Sequence, residues 1–328
     1  MPSISYLSAL VATLPLVAGA PHHSRDINAT KQWPGWNKLQ NFIAFGDSYS
    51  QTGFVPTGAQ PSAANPLGNP AYPGYTSSNG PNWVDFLTTT YNQSFLKTVN
   101  LAYGGATVDA SLVTPYQPTV LSFIDQVNTE FIPYYTGANK KVDWASGNTL
   151  FGFWFGVNDI GNSYYNNNAS INGDVVAVYA QYLDKLYKNG ARNFLLLNVP
   201  PVNQSPGTTT YGSGAITSEG AAITDFNNKL SAAAKNLSST YTDTTVFVFD
   251  SNTVFSNILS KPSTYPQTAA VKNTTGYCTA YQNGTPAQNT FDPSCGVPVD
   301  QYFWLNTLHP TFPVHNATAA QIVKTLGA

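Results

Sequence analysis

Five short apolar runs, at 41–45, 98–101, 150–155, 193–198 and 245–250, punctuate the chain at intervals long enough to hold helices. Each is too short for a helix and apolar at most positions, the pattern of a strand covered on both faces. The stretches between them read as amphipathic helices. Val175, Tyr179, Tyr182, Leu183 and Leu186 share one face over 174–188, with Asp174 placed to cap the start and Gly190 just past the end. Phe226, Leu230, Ala233, Ala234 and Leu237 form a stripe over 224–237, and 119–131 and 317–324 are further helical segments. Strands alternating with helices predict an α/β fold, a parallel sheet with helices on both faces. In open sheets of this kind, sites form beyond the carboxyl ends of the strands. A Pro/Gly/Asn-rich stretch at 55–81 and an irregular excursion at 260–299 read as long loops on one domain rather than as linkers.

Residues 1–20 carry an apolar stretch that ends in Ala18-Gly19-Ala20, a small-x-small cleavage site. They read as a secretory signal, leaving a single mature domain at 21–328. The apolar run is too short and too interrupted to span a bilayer, and no later stretch is longer, so the expectation is a soluble, secreted, extracellular protein without stable membrane association. Only 9% of the 328 residues are charged and the net charge is −2, which gives no electrostatic footprint for nucleic acid or an anionic membrane. A neutral, aromatic-rich surface suits a neutral polymer such as a polysaccharide. With a signal peptide, the Asn-x-Ser/Thr sequons at Asn28, Asn92, Asn168, Asn236, Asn273 and Asn316 are glycosylation candidates expected at the surface. Those at Asn203 and Asn283 precede a proline and rank lower. The even count of two cysteines, Cys278 and Cys295, predicts one disulfide; a metal site would need more Cys or His nearby and finds none.

The chemistry begins at Gly46-Asp47-Ser48, directly after the first apolar run. A serine past the end of a strand can face a cleft, and it becomes a nucleophile if a base can take its proton. Of the four histidines, His22 and His23 lie near the amino terminus. His309 precedes Pro310, which pushes it out of helical geometry onto a loop, where an imidazole can reach a cleft. His315 lies closer to the helix at 317–324 and reads as a cap or packing residue. An acyl-transfer site also needs N–H donors aimed at a developing oxyanion. Three follow successive strands: the backbone of Ser48, the glycine turn in Asn100-Leu101-Ala102-Tyr103-Gly104-Gly105-Ala106, and the side-chain amide of Asn158 in Gly156-Val157-Asn158-Asp159.

In this order the blocks resemble the SGNH (GDSL) hydrolase family, over essentially the whole mature chain. The resemblance implies a three-layer α/β/α, flavodoxin-like sandwich with a mostly parallel central sheet. It implies Ser48 as nucleophile, His309 as base, and Ser48, Gly105 and Asn158 as oxyanion donors. Gly105 rather than Gly104 lies five residues after Asn100, as in the family's second block. Trp33-Pro34-Gly35-Trp36, Asn79-Gly80-Pro81-Asn82-Trp83 and Phe303-Trp304-Leu305 look like the fungal secreted acetylesterases of carbohydrate esterase family sixteen. That branch implies removal of acetyl groups from xylo- and other hemicellulose-derived oligosaccharides, and two-step acyl transfer by a serine and a histidine needs no metal or organic cofactor.

The chain departs from the family at one position. Three residues before the histidine, where the family has Asp, stands Asn306. An amide oxygen can hold the imidazole tautomer but supplies no charge to the imidazolium. The expectation is therefore a Ser48–His309 dyad assisted by neutral acceptors, with Asn306 orienting the base, Asp300 a remote substitute acid, and Asp47 bracing the turn. Expected partners are an acetylated oligosaccharide or another small ester, and the expected state is a monomer. Two rival readings stand beside this one: a lipase- or phospholipase-type acylhydrolase, and an inactive glycan-binding relative.

Overall fold

A computed structural model describes residues 31–166 and 170–327. The signal segment, and the sequons at Asn28 and Asn168, lie outside the described residues. The five apolar runs form β1 (Asn41–Gly46), β2 (Lys97–Asn100), β3 (Thr149–Trp154), β4 (Asn193–Leu197) and β5 (Thr245–Phe249). They pair in the order β2-β1-β3-β4-β5, and every pair is parallel. The sheet is thus wholly parallel among the described residues, in the strand order of flavodoxin-like folds.

Alternation along each strand sends side chains to two opposite faces. On one, Phe45 and Phe153 stack with ring centroids 5.2 Å apart, and Phe123, Phe131 and Tyr179 pack around them. On the other, Phe42 and Trp154 meet Trp83, and Trp154 also meets Phe255 and His315. Helix Ile171–Lys188 lies beside helix Ser213–Thr240, and helix Trp83–Thr89 lies beside helix Phe312–Thr325. Right-handed crossovers from β1 leftward to β2, and from β3 rightward to β4 and β5, put these two helix pairs on opposite faces. The result is three layers, α/β/α.

Several boundaries differ from the sequence-based expectation. Asp174 sits inside the first turn of its helix, which starts at Ile171. An acidic residue there favours the positive helix end without being the cap. The helix expected at 224–237 begins at Ser213, and the one expected at 317–324 begins at Phe312, with Pro313 in its first turn. Pro lacks an N–H that this turn would leave unbonded, so the helix accepts it. Strand β5 is not buried on both faces: it closes an edge of the sheet, and Val248 is 38% exposed. Cys278 and Cys295 are disulfide-bonded, as expected. The two long loops meet, Asn79 donating to Thr285 Oγ1 and accepting from its backbone N–H.

The strand order reverses between β1 and β3. At such a switch point the connections leave in opposite directions and open a crevice at the carboxyl ends of the strands. Ser48 follows β1 and Asn158 follows β3, so the topology alone puts both at the mouth of this crevice.

Candidate active site

The turn that carries Ser48 is tight. A side chain on Gly46 would stand 2.6 Å from Ser50 Oγ and 2.9 Å from the Trp154 carbonyl, so only glycine fits. Asp47 closes the turn: its Oδ1 accepts from Tyr49 N–H at 2.9 Å, and its carbonyl accepts from the N–H groups of Ser50 and Gln51. It braces the turn, as the sequence suggested. Four residues that sequence reasoning did not single out as braces fasten the turn from outside. Gln126 bonds Gly46 in both directions, accepting from its N–H at 3.1 Å and donating to its carbonyl at 2.8 Å. Asn82 donates to the carbonyls of Ser50 and Gln51, and Asn100 donates to that of Ser50 at 2.7 Å. Trp83 Nε1 donates to Ser50 Oγ. Of these, Asn82 had a sequence signal, the Asn-x-x-Asp capping pattern with Asp85.

The histidine arrives from the other end of the chain. Leu305 N–H donates to the His309 carbonyl at 2.8 Å, closing the loop that presents the ring. Tyr49 Oη donates to the Leu308 carbonyl at 2.7 Å, so the neighbour of Ser48 fixes the neighbour of His309. His309 Nε2 then lies 2.8 Å from Ser48 Oγ, across 261 residues of sequence. His315 is buried in the first turn of helix Phe312–Thr325, against Tyr49 and Trp154, as a packing residue.

Asn306 occupies the far side of the imidazole. Its Oδ1 lies 3.0 Å from His309 Nδ1 and also accepts from the backbone N–H groups of His309 at 2.9 Å and Leu308 at 3.1 Å. Two backbone donors aimed at one atom fix which end of the amide faces the ring. The facing atom is an oxygen, so Nδ1 carries the proton and Nε2 keeps its lone pair toward Ser48. Asp300 makes no bond to the imidazole: the ring nitrogens are taken by Ser48 and Asn306. Burial with no charged partner pushes the His309 pKa down to about 4.

The backbone N–H groups of Ser48 and Gly105 have no partner among the described residues. Gly104 donates instead to Gln51 Oε1, so of the two glycines Gly105 is the one with a free donor. Gly105 has φ +82°, and a side chain on it would run into the ring of Tyr116. Asn158 Nδ2 spends one N–H on the Ala106 carbonyl at 3.0 Å and keeps the second free. That bond joins the loop after β3 to the glycine turn after β2. A serine hydroxyl facing a neutral imidazole, beside three donors without an acceptor, can perform acyl transfer.

Two clefts flank the pair. One, of 990 Å³, runs from Asn158 and Leu308 to the helix Ser213–Thr240. The other, of 810 Å³, lies between the two long loops and ends on Asn306 and His309. The glycosylation candidates divide: Asn92 and Asn236 are exposed, whereas Asn273 and Asn316 are half-buried with their amide oxygens engaged. Among the described residues, no helix is long and apolar enough to cross a membrane.

Residues 42–322 match the family model described as GDSL-like Lipase/Acylhydrolase. An acetylesterase of Thermothelomyces thermophilus is 39% identical over 282 residues, covering 85% of this chain and 86% of that one. An acetylesterase of Hypocrea jecorina is 24% identical over 174 residues, 48% of this chain and 47% of the other. Among solved structures, Axe2, an acetylxylan esterase from Geobacillus stearothermophilus, is 11% identical with a TM-score of 0.49, covering 88% of this chain and 94% of that one.

Proposed function

Since the chain belongs to the GDSL-like lipase/acylhydrolase family and is a carboxylic ester hydrolase, we propose that it removes acetyl groups from hemicellulose-derived oligosaccharides after secretion, with Ser48 as nucleophile and His309 as base. The observation that carries this reading is the pair itself: Nε2 at 2.8 Å from the serine hydroxyl, with its tautomer held by Asn306 on the other nitrogen. The acetylesterase of T. thermophilus, similar over most of both chains, supports the acetyl group as the one transferred. The low charge of the chain and its disulfide suit an extracellular enzyme acting on a neutral sugar polymer.

Ser48 Oγ attacks the acetyl carbonyl carbon as its proton passes to His309 Nε2. The carbonyl oxygen takes the negative charge and receives the N–H groups of Ser48, Gly105 and Asn158. Collapse of this intermediate breaks the bond to the sugar oxygen, which takes the proton from His309 and leaves as a free hydroxyl. Water then gives one proton to His309 as its oxygen attacks the acetyl-enzyme, and return of that proton to Ser48 Oγ breaks the acyl bond and frees acetic acid, which ionises in water. The chain's own residues supply every proton transfer.

The test is hydrolysis of 4-nitrophenyl acetate, a long-chain 4-nitrophenyl ester and an acetylated xylo-oligosaccharide by wild type and Ser48→Ala. The reading expects acetyl esters to be preferred and Ser48→Ala to be inactive. Preference for the long chain would make the protein a lipase-type acylhydrolase, and equal inactivity of both forms would make it a glycan-binding relative.

A further inference from the structure

The 990 Å³ cleft that reaches the pair through Asn158, Thr307 and Leu308 contains an acidic group with no role in the chemistry above. Glu219 lies on helix Ser213–Thr240 and is only 3% exposed, yet it lines the cleft. Its Oε2 accepts from Thr208 Oγ1 at 2.6 Å. Its Oε1 meets no donor among the described residues, and no lysine, arginine or histidine lines the cleft. Burial raises the Glu219 pKa, and the oxygen left without a protein donor faces the cleft, where a hydroxyl on an entering molecule can take the place of water.

The surroundings say what kind of molecule that is. Tyr165 and Tyr211 stand at the rim, 63% and 78% exposed, and Tyr164 packs edge-on against Tyr165. Exposed tyrosines offer flat apolar faces with a polar tip. The rest of the lining is rich in hydroxyls and amides, including Asn162, Ser205 and Ser218. Such a wall complements a molecule covered in hydroxyls rather than the methyl groups of a quaternary ammonium. The cleft lies at the top of the range of about 300–1,000 Å³ that ligand sites occupy, far more than a two-carbon acetyl group needs. It shares Asn158 with the oxyanion donors, and Gly207 N–H donates to the Thr307 carbonyl at 2.8 Å, tying this wall to the loop that carries Asn306 and His309.

We propose that this cleft is the subsite for the sugar that leaves, with Glu219 Oε1 accepting from its hydroxyls and the rim tyrosines stacking on its rings. The assignment rests on the esterase reading above and adds a specificity-determining residue to it. An ester of an alcohol without hydroxyls displaces water from Oε1 and offers it no donor, which discriminates against such an ester.

The test compares kcat/KM for acetylated xylobiose with that for 4-nitrophenyl acetate in wild type, Glu219→Gln, Glu219→Leu and Tyr211→Ala. Losing the hydrogen bond from a sugar hydroxyl lowers the sugar-ester rate constant, relative to the aryl ester, by about tenfold in Glu219→Leu, mainly through KM. Glu219→Gln falls between, since its amide oxygen still accepts. Tyr211 is exposed, so Tyr211→Ala keeps the fold even if Glu219→Leu does not, and it should lose at least about threefold in the same ratio. A ratio unchanged in Glu219→Gln and Tyr211→Ala overturns the subsite. So does a wild-type preference for acetylcholine over the sugar ester that Glu219→Gln weakens, which would mark a cation site. Loss of the esterase reading looks different: wild type would then match Ser48→Ala on 4-nitrophenyl acetate.

Discussion

The side-chain oxygen of Asn306 faces Nδ1 of His309 at 3.0 Å and is held there by two backbone N–H groups. An amide could turn its NH₂ to the ring and leave the serine facing an N–H instead of a lone pair. The backbone donors oppose that turn, because it would point NH₂ at N–H twice. The position thus keeps the orienting half of an acid's work without the charge.

If orientation is what Asn306 contributes, Asn306→Ala should lower kcat by about 10- to 100-fold, while His309→Ala, which removes the base itself, should lose about 10³-fold or more. Steady-state turnover of 4-nitrophenyl acetate by the two variants measures the gap. Equal losses would mean that residue 306 does more than orient.

The pH profile follows from the same isolation. The base must be neutral to accept a proton, and burial holds its pKa down to about 4. The rate constant kcat/KM should therefore fall as pH drops through about 4 and be level from about pH 5 to neutrality. In Asn306→Asp the added carboxylate favours the imidazolium and raises that pKa, moving the acid limb up by about one unit or more. An unmoved limb in a pH titration of this variant would show that residue 306 does not face the ring in solution.

Stability should change with pH in the direction opposite to the usual carboxylate case. Burial raises Asp47, Asp85 and Asp159 from 3.8 to about 7, and each has one oxygen without a partner. The folded state thus binds more protons at these groups between pH 4 and 7, so their contribution is full below about 4 and is lost as pH rises through 7. His309 and His315, lowered to about 4 and about 3, pull the other way, but their effect ends near the unfolded value of 6.5. Denaturant midpoints should decline from pH 6.5 to 8; a rise across that window would contradict the protonated carboxylates.

Gln126→Ala strips two partners from Gly46 at the root of the Ser48 turn. Two buried backbone groups left unpaired should cost about 2–4 kcal/mol, visible as a lower urea midpoint. A loss below about 0.5 kcal/mol would mean that water or a local shift replaces the amide.

The strands were legible because a strand covered on both faces is apolar throughout, whatever lies around it. β5 was read as buried because its sequence, Thr-Val-Phe-Val-Phe, has the same signature although it closes an edge. Helix Ser251–Ser260 was missed because its cap, Asp250, reads equally well as the end of the strand before it; the structure shows Asp250 accepting from Thr253 N–H. Ser48 and Asn158 could be named because each follows a strand, His309 because it stands before a proline, and Gly105 over Gly104 because of its place in the family's second block. Gln126 and Glu219 could not, since what matters about them is a backbone or a cleft distant in sequence, and no local pattern encodes it.

The hydrogen bond from Tyr49 to the Leu308 carbonyl bridges 259 residues. A nascent chain that has emerged only as far as β5 holds no competent serine, because the imidazole and its clamp come from beyond the last strand. Activity carried by this pair would therefore appear late and abruptly, as a signal that the whole polypeptide has closed on itself. A protease cut at 260–277 would sever the imidazole's segment from the serine's, whereas a cut between Cys278 and Cys295 would leave the two joined through the disulfide, so the bridge guards catalytic lifetime over that stretch of the loop.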